Sequence, residues 1–131
     1  MPLLDVAIAS DKIALPCNRI AKILTELTAQ HLHKDPMRTA VTIRRIATQD
    51  WFIGAAALSQ EQGSFSLRIA VSEGTNSPDE MAAYIDAVFA AMNTLAGPVH
   101  EVSYVIVEEV PFKQWGFGGL TQFARSAGRA A

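Results

Sequence analysis

The sequence predicts an α+β domain in which a tandem βαβ repeat forms a four-stranded mixed sheet with two helices on one face. Three observations carry this. The two halves of the chain read in the same order: strand, helix, strand, then a turn rich in aromatic residues and glycine. Each helix has one apolar stripe. The link Ser59-Gln60-Glu61-Gln62-Gly63-Ser64 is short and polar, which suits a tight connection between strands rather than an interdomain tether. The chain is therefore one domain over residues 1–131, with a βαβ unit at 2–62, a second at 63–122 and a C-terminal tail at 123–131.

In the first unit, Leu3 to Ala9 reads as a short apolar strand and Leu15 to about His33 as a helix. Its stripe is Ile20, Leu24, Leu27 and His31, with Arg19, Lys22 and Glu26 turned away, and Pro36 stops it. Ala40 to Ile46 is the next strand, running on to Trp51-Phe52-Ile53-Gly54. In the second unit, Phe65 to Ser72 and Val102 to Glu109 are strands around a helix from Ser77 to about Ala96. That helix is the best marked element. Ser77 caps it, Pro78 suits its first turn, Glu80 completes a capping box, and Gly97-Pro98 ends it. Met81, Ile85, Val88, Met92 and Leu95 recur along it at helical spacing.

Strand alternation places Leu67, Ile69 and Val71 on one face and Arg68, Ala70 and Ser72 on the other. A sheet with helices on one side and this mixed set on the other is half covered, which predicts an oligomer. Crossovers between parallel strands are right-handed, so each half closes as a βαβ unit.

Of 131 residues, 50% are hydrophobic and 18% charged, enough for one real core. Eleven Lys and Arg against thirteen Asp and Glu, with no block of like charge, leave no driving force for nucleic acid or an anionic membrane surface. No apolar run reaches membrane-spanning length. The start Met1-Pro2-Leu3-Leu4-Asp5 lacks the basic and apolar regions of a signal peptide, and the single Cys17 forms no internal disulfide. The expectation is a cytoplasmic protein with no nucleic-acid or membrane partner.

Pro2 is the most informative residue. Trimming of the initiator methionine before a small residue leaves a secondary amine at the chain start. An α-amino group titrates near pH ~8, and an apolar pocket or neighbouring cations lower that value towards neutrality, where a base works well. Read alone, Pro2 merely starts a strand. Its context adds that the strand begins at once, so the amine is held at the edge of the core.

The two βαβ units, the leading Pro2 and the closing pattern Val110-Pro111-Phe112-Lys113-Gln114-Trp115-Gly116-Phe117-Gly118-Gly119 together resemble the tautomerase superfamily. That group includes 4-oxalocrotonate tautomerase, 5-carboxymethyl-2-hydroxymuconate isomerase, macrophage migration inhibitory factor and the chloroacrylic and malonic semialdehyde enzymes. The resemblance spans residues 2 to about 122. It implies a homotrimer of fused two-unit chains, with one site per chain because Ser64-Phe65-Ser66 opens the second unit without a terminal amine. It implies a keto–enol tautomerase, an isomerase needing no cofactor and no metal, acting on a small 2-oxo or 2-hydroxy unsaturated carboxylic acid with Pro2 as base and acid. A hydratase or dehalogenase of the same superfamily, or a non-catalytic binding protein on this fold, is the alternative.

The same resemblance implies the site residues. Lys34 matches the pocket lysine of the inhibitory-factor branch and Arg38 an arginine of the carboxymethyl-hydroxymuconate isomerase; the other reading of each is a solvated loop charge. Lys12 stands where 4-oxalocrotonate tautomerase has an arginine, but a lysine lacks the guanidinium fork. Tyr104 stands where the inhibitory factor has a pocket tyrosine and 4-oxalocrotonate tautomerase an arginine from a neighbouring subunit. A phenol there polarises a carbonyl or acts as an acid, or simply packs. Arg44 and Arg68 lie by strand alternation on the face the family turns towards the site and trimer axis, and the structural reading of either pairs it with Glu108 or Glu109 across the assembly. Trp115 and Phe117 are expected to wall the pocket, or to pack an interface. Departures narrow the reaction: the cis-chloroacrylic branch has arginines at Ser72 and Thr75 and a histidine at Thr28, and Glu73-Gly74-Thr75 lacks the arginines of the decarboxylase branch. His31, His33 and His100 lack metal-site spacing, and Cys17 has no local base.

Overall fold

Leu4, Val6 and Ile8 alternate with Leu3, Asp5 and Ala7 along one short segment, and that alternation decides which side of the sheet is dry. The computed structural model describes residues 2–11 and 17–130. In it β1 (Leu3–Ala9), α1 (Cys17–Leu32) and β2 (Ala40–Arg45) form the first unit, followed by a hairpin of β3 (Phe52–Ile53) and β4 (Ala56–Ala57). β5 (Ser64–Ser72), α2 (Pro78–Leu95) and β6 (Tyr104–Val110) repeat the plan, again with a hairpin, β7 (Gly116–Phe117) and β8 (Leu120–Thr121). The stretch read as a tail is helical: α3 spans Gln122–Ala130. The expected start of the first helix at Leu15, and Lys12, lie outside the described residues.

The four long strands form one mixed sheet in the order β2-β1-β5-β6. β1 runs parallel to β2 and β5 parallel to β6, while β1 and β5 meet antiparallel with Asp5 opposite Arg68. This is the arrangement that two βαβ units sharing a sheet require. Leu4, Val6, Ile8, Phe65, Leu67, Ile69 and Val71 are fully buried and meet Ile20, Leu24, Val88 and Met92 of the helices. Truncating any one of these leucines or isoleucines to alanine costs about 2–5 kcal/mol, because the cavity left behind adds to the lost transfer energy. No helix among the described residues is long and apolar enough to cross a membrane.

Both helical stripes differ from the periodicity reading. α1 buries Ile20, Leu24, Thr28 and Leu32, leaving Leu27 and His31 at the margin. α2 buries Tyr84, Val88, Met92 and Leu95, and Ile85 is 39% exposed. One contact accounts for both corrections. Tyr84 OH and Thr28 Oγ1 are 2.9 Å apart, and Thr28 Oγ1 donates to the Leu24 carbonyl at 2.7 Å. The tyrosine hydroxyl therefore donates to Thr28, and a fully bonded hydroxyl chain is buried where the helices touch. Counting apolar residues alone misses a polar pair that satisfies itself.

The cap on α2 is as the sequence predicts. Ser77 Oγ accepts the Glu80 N–H and Glu80 Oε1 accepts the Ser77 N–H, closing the capping box. These bonds, the Ser77 N–H first, hold the Glu80 carboxyl below its ordinary value. The link after β4 ends at Gly63, whose N–H donates to the Pro98 carbonyl at 2.9 Å. A Cβ there would stand 2.7 Å from the Ala9 carbonyl oxygen, so only glycine lets the chain pass.

Candidate functional site

Pro2 enters β1 directly. It is buried, and its carbonyl accepts the Ala40 N–H at 3.2 Å. Leu3 pairs with Ala40 on one side and Ala70 on the other, so Pro2 stands at the end of β5 that runs out through Val71 and Ser72.

The loop after α1 is stiffened by its own polar groups. His33 adopts φ 58°, a left-handed helix ending made by a residue other than glycine, and its Nε2 meets Glu80 Oε2 at 3.0 Å. Asp35 Oδ1 accepts the Met37 N–H at 2.9 Å and so caps a single 3₁₀ turn over Pro36–Arg38. Arg38 Nε lies 3.8 Å from Asp35 Oδ2. Between them Lys34 Nζ donates to Thr75 Oγ1 at 2.8 Å, and Thr75 Oγ1 donates to the Ser72 carbonyl at 2.6 Å. Burial pushes the Lys34 ammonium below its ordinary pKa, and the charge of Glu80 opposes that shift.

These groups border a cavity of about 450 Å³ lined by His33, Lys34, Asp35, Ser72, Thr75, Phe112, Gln122, Arg125 and Ser126. Its size lies within the range of small-molecule sites, roughly 300–1,000 Å³. Pro2 lies at the same end of the sheet, close in register to Ser72, but is not on the wall. Among the described residues the lining offers two cations, three hydroxyls, an amide, an imidazole and one carboxylate, Asp35; with Asp35 turned to Arg38 and His33 to Glu80, the groups left over suit an oxygen-rich anion.

The expected site residues fall into three groups. Lys34 is on the cavity, and Arg38 and Phe117 lie beside it: the Arg38 guanidinium is 5.9 Å from the Phe117 ring centroid, and the Arg125 guanidinium 3.8 Å. Trp115 lies elsewhere, on a hollow of about 330 Å³ with Lys113, Leu120 and Thr121, and its carbonyl holds the Gln122 N–H at 2.9 Å. The aromatic residue on the cavity is instead Phe112.

The third group is on the open face of the sheet. Arg44 Nε is 3.4 Å from Asp5 Oδ1, and Arg68 Nη1 hydrogen-bonds Glu108 Oε1, pairs formed within one chain between exposed groups. Exposed pairs of this kind contribute about 0–1 kcal/mol. Tyr104 is 60% exposed and pairs with Ser66, while Ser72 pairs with Val110. At about 3.3 Å per residue, Tyr104 is therefore roughly 20 Å from the Pro2 end of its own protomer.

The sequence reading missed Arg125, Gln122 and Ser126. All three come from α3, which the β7–β8 hairpin turns back over the cavity: the Phe123 N–H donates to the Phe112 carbonyl at 3.0 Å. The available signal was the hairpin itself, since a two-residue Gly118-Gly119 turn reverses the chain and brings the next segment back to the sheet. Among the other polar residues, His100 Nδ1 accepts the Val102 N–H and Arg45 Nη2 donates to Cys17 Sγ.

No family model and no curated protein matches this chain. Solved structures do. A wild-type fused 4-OT, a symmetric trimer, superposes with a TM-score of 0.79 at 19% identity, covering 94% of this chain and 98% of that one. Pt0534 inactivated by 2-oxo-3-pentynoate superposes at 0.81 with 11% identity, over 94% of this chain and 98% of its own. The macrophage migration inhibitory factor-like protein of Entamoeba histolytica gives 0.76 at 15% identity, over 92% and 97%. The chain therefore has the tautomerase fold of fused 4-OT and the MIF-like proteins, along nearly its whole length.

Proposed function

We propose that this protein is a cofactor-independent keto–enol tautomerase, an isomerase of small 2-oxo or 2-hydroxy unsaturated carboxylic acids. Removal of Met1 exposes the Pro2 nitrogen as a secondary amine. Burial disfavours its charged form, so the neutral amine takes a proton from the carbon next to the substrate carbonyl. The electron pair moves onto the carbonyl oxygen as an enolate, and the protonated amine then returns its proton at a different atom. Lys34, with Arg38 at the rim, stabilises the oxygen charge that develops.

The observation that carries this reading is Pro2 itself: buried, fixed through its carbonyl, and at the sheet end whose last residue, Ser72, belongs to the cationic cavity. The shared fold supports it, as does the inactivation of Pt0534 by a 2-oxo acid. In this reading the functional protein is a trimer, as fused 4-OT is, and Tyr104 reaches the Pro2 site of a neighbouring subunit, since its own is out of reach. Phe112 walls the site and Phe117 lies beside it under Arg125, while Trp115 braces the hairpin that carries Phe117. Arg44 and Arg68 keep their partners Asp5 and Glu108 on the face the trimer covers.

The hydratase or dehalogenase alternative has less support. Thr28 is buried in the helix contact with Tyr84, and Thr75 bonds Lys34.

The test is ketonisation of phenylenolpyruvate and 2-hydroxymuconate by the trimmed protein. Pro2→Ala is expected to lose at least about 100-fold in kcat/KM while the assembly persists. Full activity in that variant contradicts the proposal.

A further inference from the structure

Among the described residues, Arg125 is fixed in place without a carboxylate partner. Its guanidinium carbon lies 3.8 Å from the Phe117 ring centroid, a distance at which cation and aromatic face attract, and its Nη2 donates to the Phe117 carbonyl at 3.0 Å. Gly118 makes the room. At φ +62°, a Cβ there would stand 2.7 Å from Arg125 Nη2. The hairpin thus holds the guanidinium by stacking, by a carbonyl and by the absence of a side chain.

Charge around the cavity leaves this cation unanswered. Arg38, Arg44 and Arg68 each face a carboxylate, Asp35, Asp5 and Glu108 respectively. Among the described residues Arg125 makes no salt bridge. The carboxylate that borders the cavity among the described residues, Asp35, is turned to Arg38 and the Met37 N–H, and His33 is paired with Glu80. Lys34 is bonded to a neutral hydroxyl. Two cations and the hydroxyls of Ser72, Thr75 and Ser126 therefore border one hollow. A guanidinium whose plane is set by a ring is matched to a planar, two-oxygen anion, whereas an ammonium is a point charge suited to a single oxygen.

We propose that Arg125 holds the substrate carboxylate, leaving Lys34 to the carbonyl oxygen, and that α3 is part of the site. This assignment rests on the tautomerase reading for the identity of the ligand, but its geometry is that of this chain alone. It makes Arg125 a specificity residue: acids are bound and their esters are not.

The experiment is calorimetric titration of the full chain with oxalate, which mimics a 2-oxo acid but has no carbon-bound proton to lose. Wild type is expected to bind. Arg125→Ala is expected to bind at least tenfold more weakly, Arg125→Lys to recover part of the loss, and Gly118→Ala to weaken binding by displacing the guanidinium. In turnover, Arg125→Ala is expected to raise KM for phenylpyruvate far more than it lowers kcat, and to abolish the preference for phenylpyruvate over its methyl ester. Oxalate affinity unchanged in Arg125→Ala, or no binding by wild type, overturns the assignment. Because oxalate binding needs no turnover, it separates this failure from failure of the tautomerase reading, which shows instead as full ketonisation by Pro2→Ala.

Discussion

Lys34 Nζ donates to Thr75 Oγ1 at 2.8 Å, which ties the loop after α1 to the turn after β5 along one wall of the cavity. The bond satisfies one of three ammonium donors with a neutral partner, so the lysine is held in a partly desolvated place without a carboxylate at contact distance.

That setting governs its titration. With the folded pKa lowered from 10.5, chiefly by desolvation, the charged form is disfavoured in the folded state. Lys34 therefore costs stability at neutral pH, and the cost is relieved as pH rises through the folded pKa to 10.5. Carbon-detected NMR of Lys34 Cε is expected to show a midpoint below 10.5 that moves up when oxalate fills the cavity. A midpoint at or above 10.5 in the free protein contradicts this.

The buried hydroxyl pair sets an alkaline limit. Burial pushes the Tyr84 phenol up to about 12 against an ordinary 10.0. The raised acid contributes stability that is present in full below pH 10 and lost as pH climbs to about 12, because the unfolded chain ionises first. The loss amounts to roughly 2–3 kcal/mol. Tyr84→Phe is expected to remove that alkaline limb while costing about 1 kcal/mol at neutral pH for the broken hydroxyl bond. Denaturant unfolding at about pH 7 and about pH 11.5 measures both; identical slopes with pH in the two proteins are the contrary result.

The two hairpins carry a strain difference. Gly118 and Gly119 turn with φ of 62° and 81°, and Gly54 and Ala55 with 60° and 64°. Both residues of such a turn are left-handed, which glycine adopts freely and alanine does not. Ala55→Gly is expected to raise stability by about 0.5–1 kcal/mol, the relief of left-handed strain exceeding the added entropy of the unfolded chain. A lower midpoint in thermal unfolding rejects it.

Tyr104 offers a test of the assembly. If it serves a neighbour's Pro2, mixing the inactive Pro2→Ala and Tyr104→Ala chains by refolding is expected to restore activity, since some sites then combine an intact proline with an intact tyrosine. Activity that stays at the level of the separate variants places Tyr104 outside the site.

Legible in the sequence was whatever depends on neighbours along the chain. Ser77 and Glu80 specify their cap within one turn, and Leu67, Ile69 and Val71 specify their face by alternation, so both are found where expected. Thr28 and Tyr84 escaped because the buried phenol needs an acceptor, and Thr28, already bonded to its own helix, supplies it from 56 positions away. Arg125 escaped for the same reason: its place is set by Phe117 and Gly118 through a reversal of the chain, not by any period in α3. Lys34 was found through family resemblance, and its bond to Thr75, 41 positions away, gives it a physical role that spacing did not contain.

The protonation state of the first ring decides whether Pro2 can act as a base. A ¹⁵N titration of Pro2 in the trimmed protein, set against the pH dependence of kcat/KM for ketonisation, tests it directly. The expected result is a nitrogen pKa near neutrality, below the ~8 of an ordinary chain terminus, with activity rising through that same value. A terminus that titrates at its ordinary value, or activity that falls where the amine loses its proton, contradicts the assignment of Pro2 as the base.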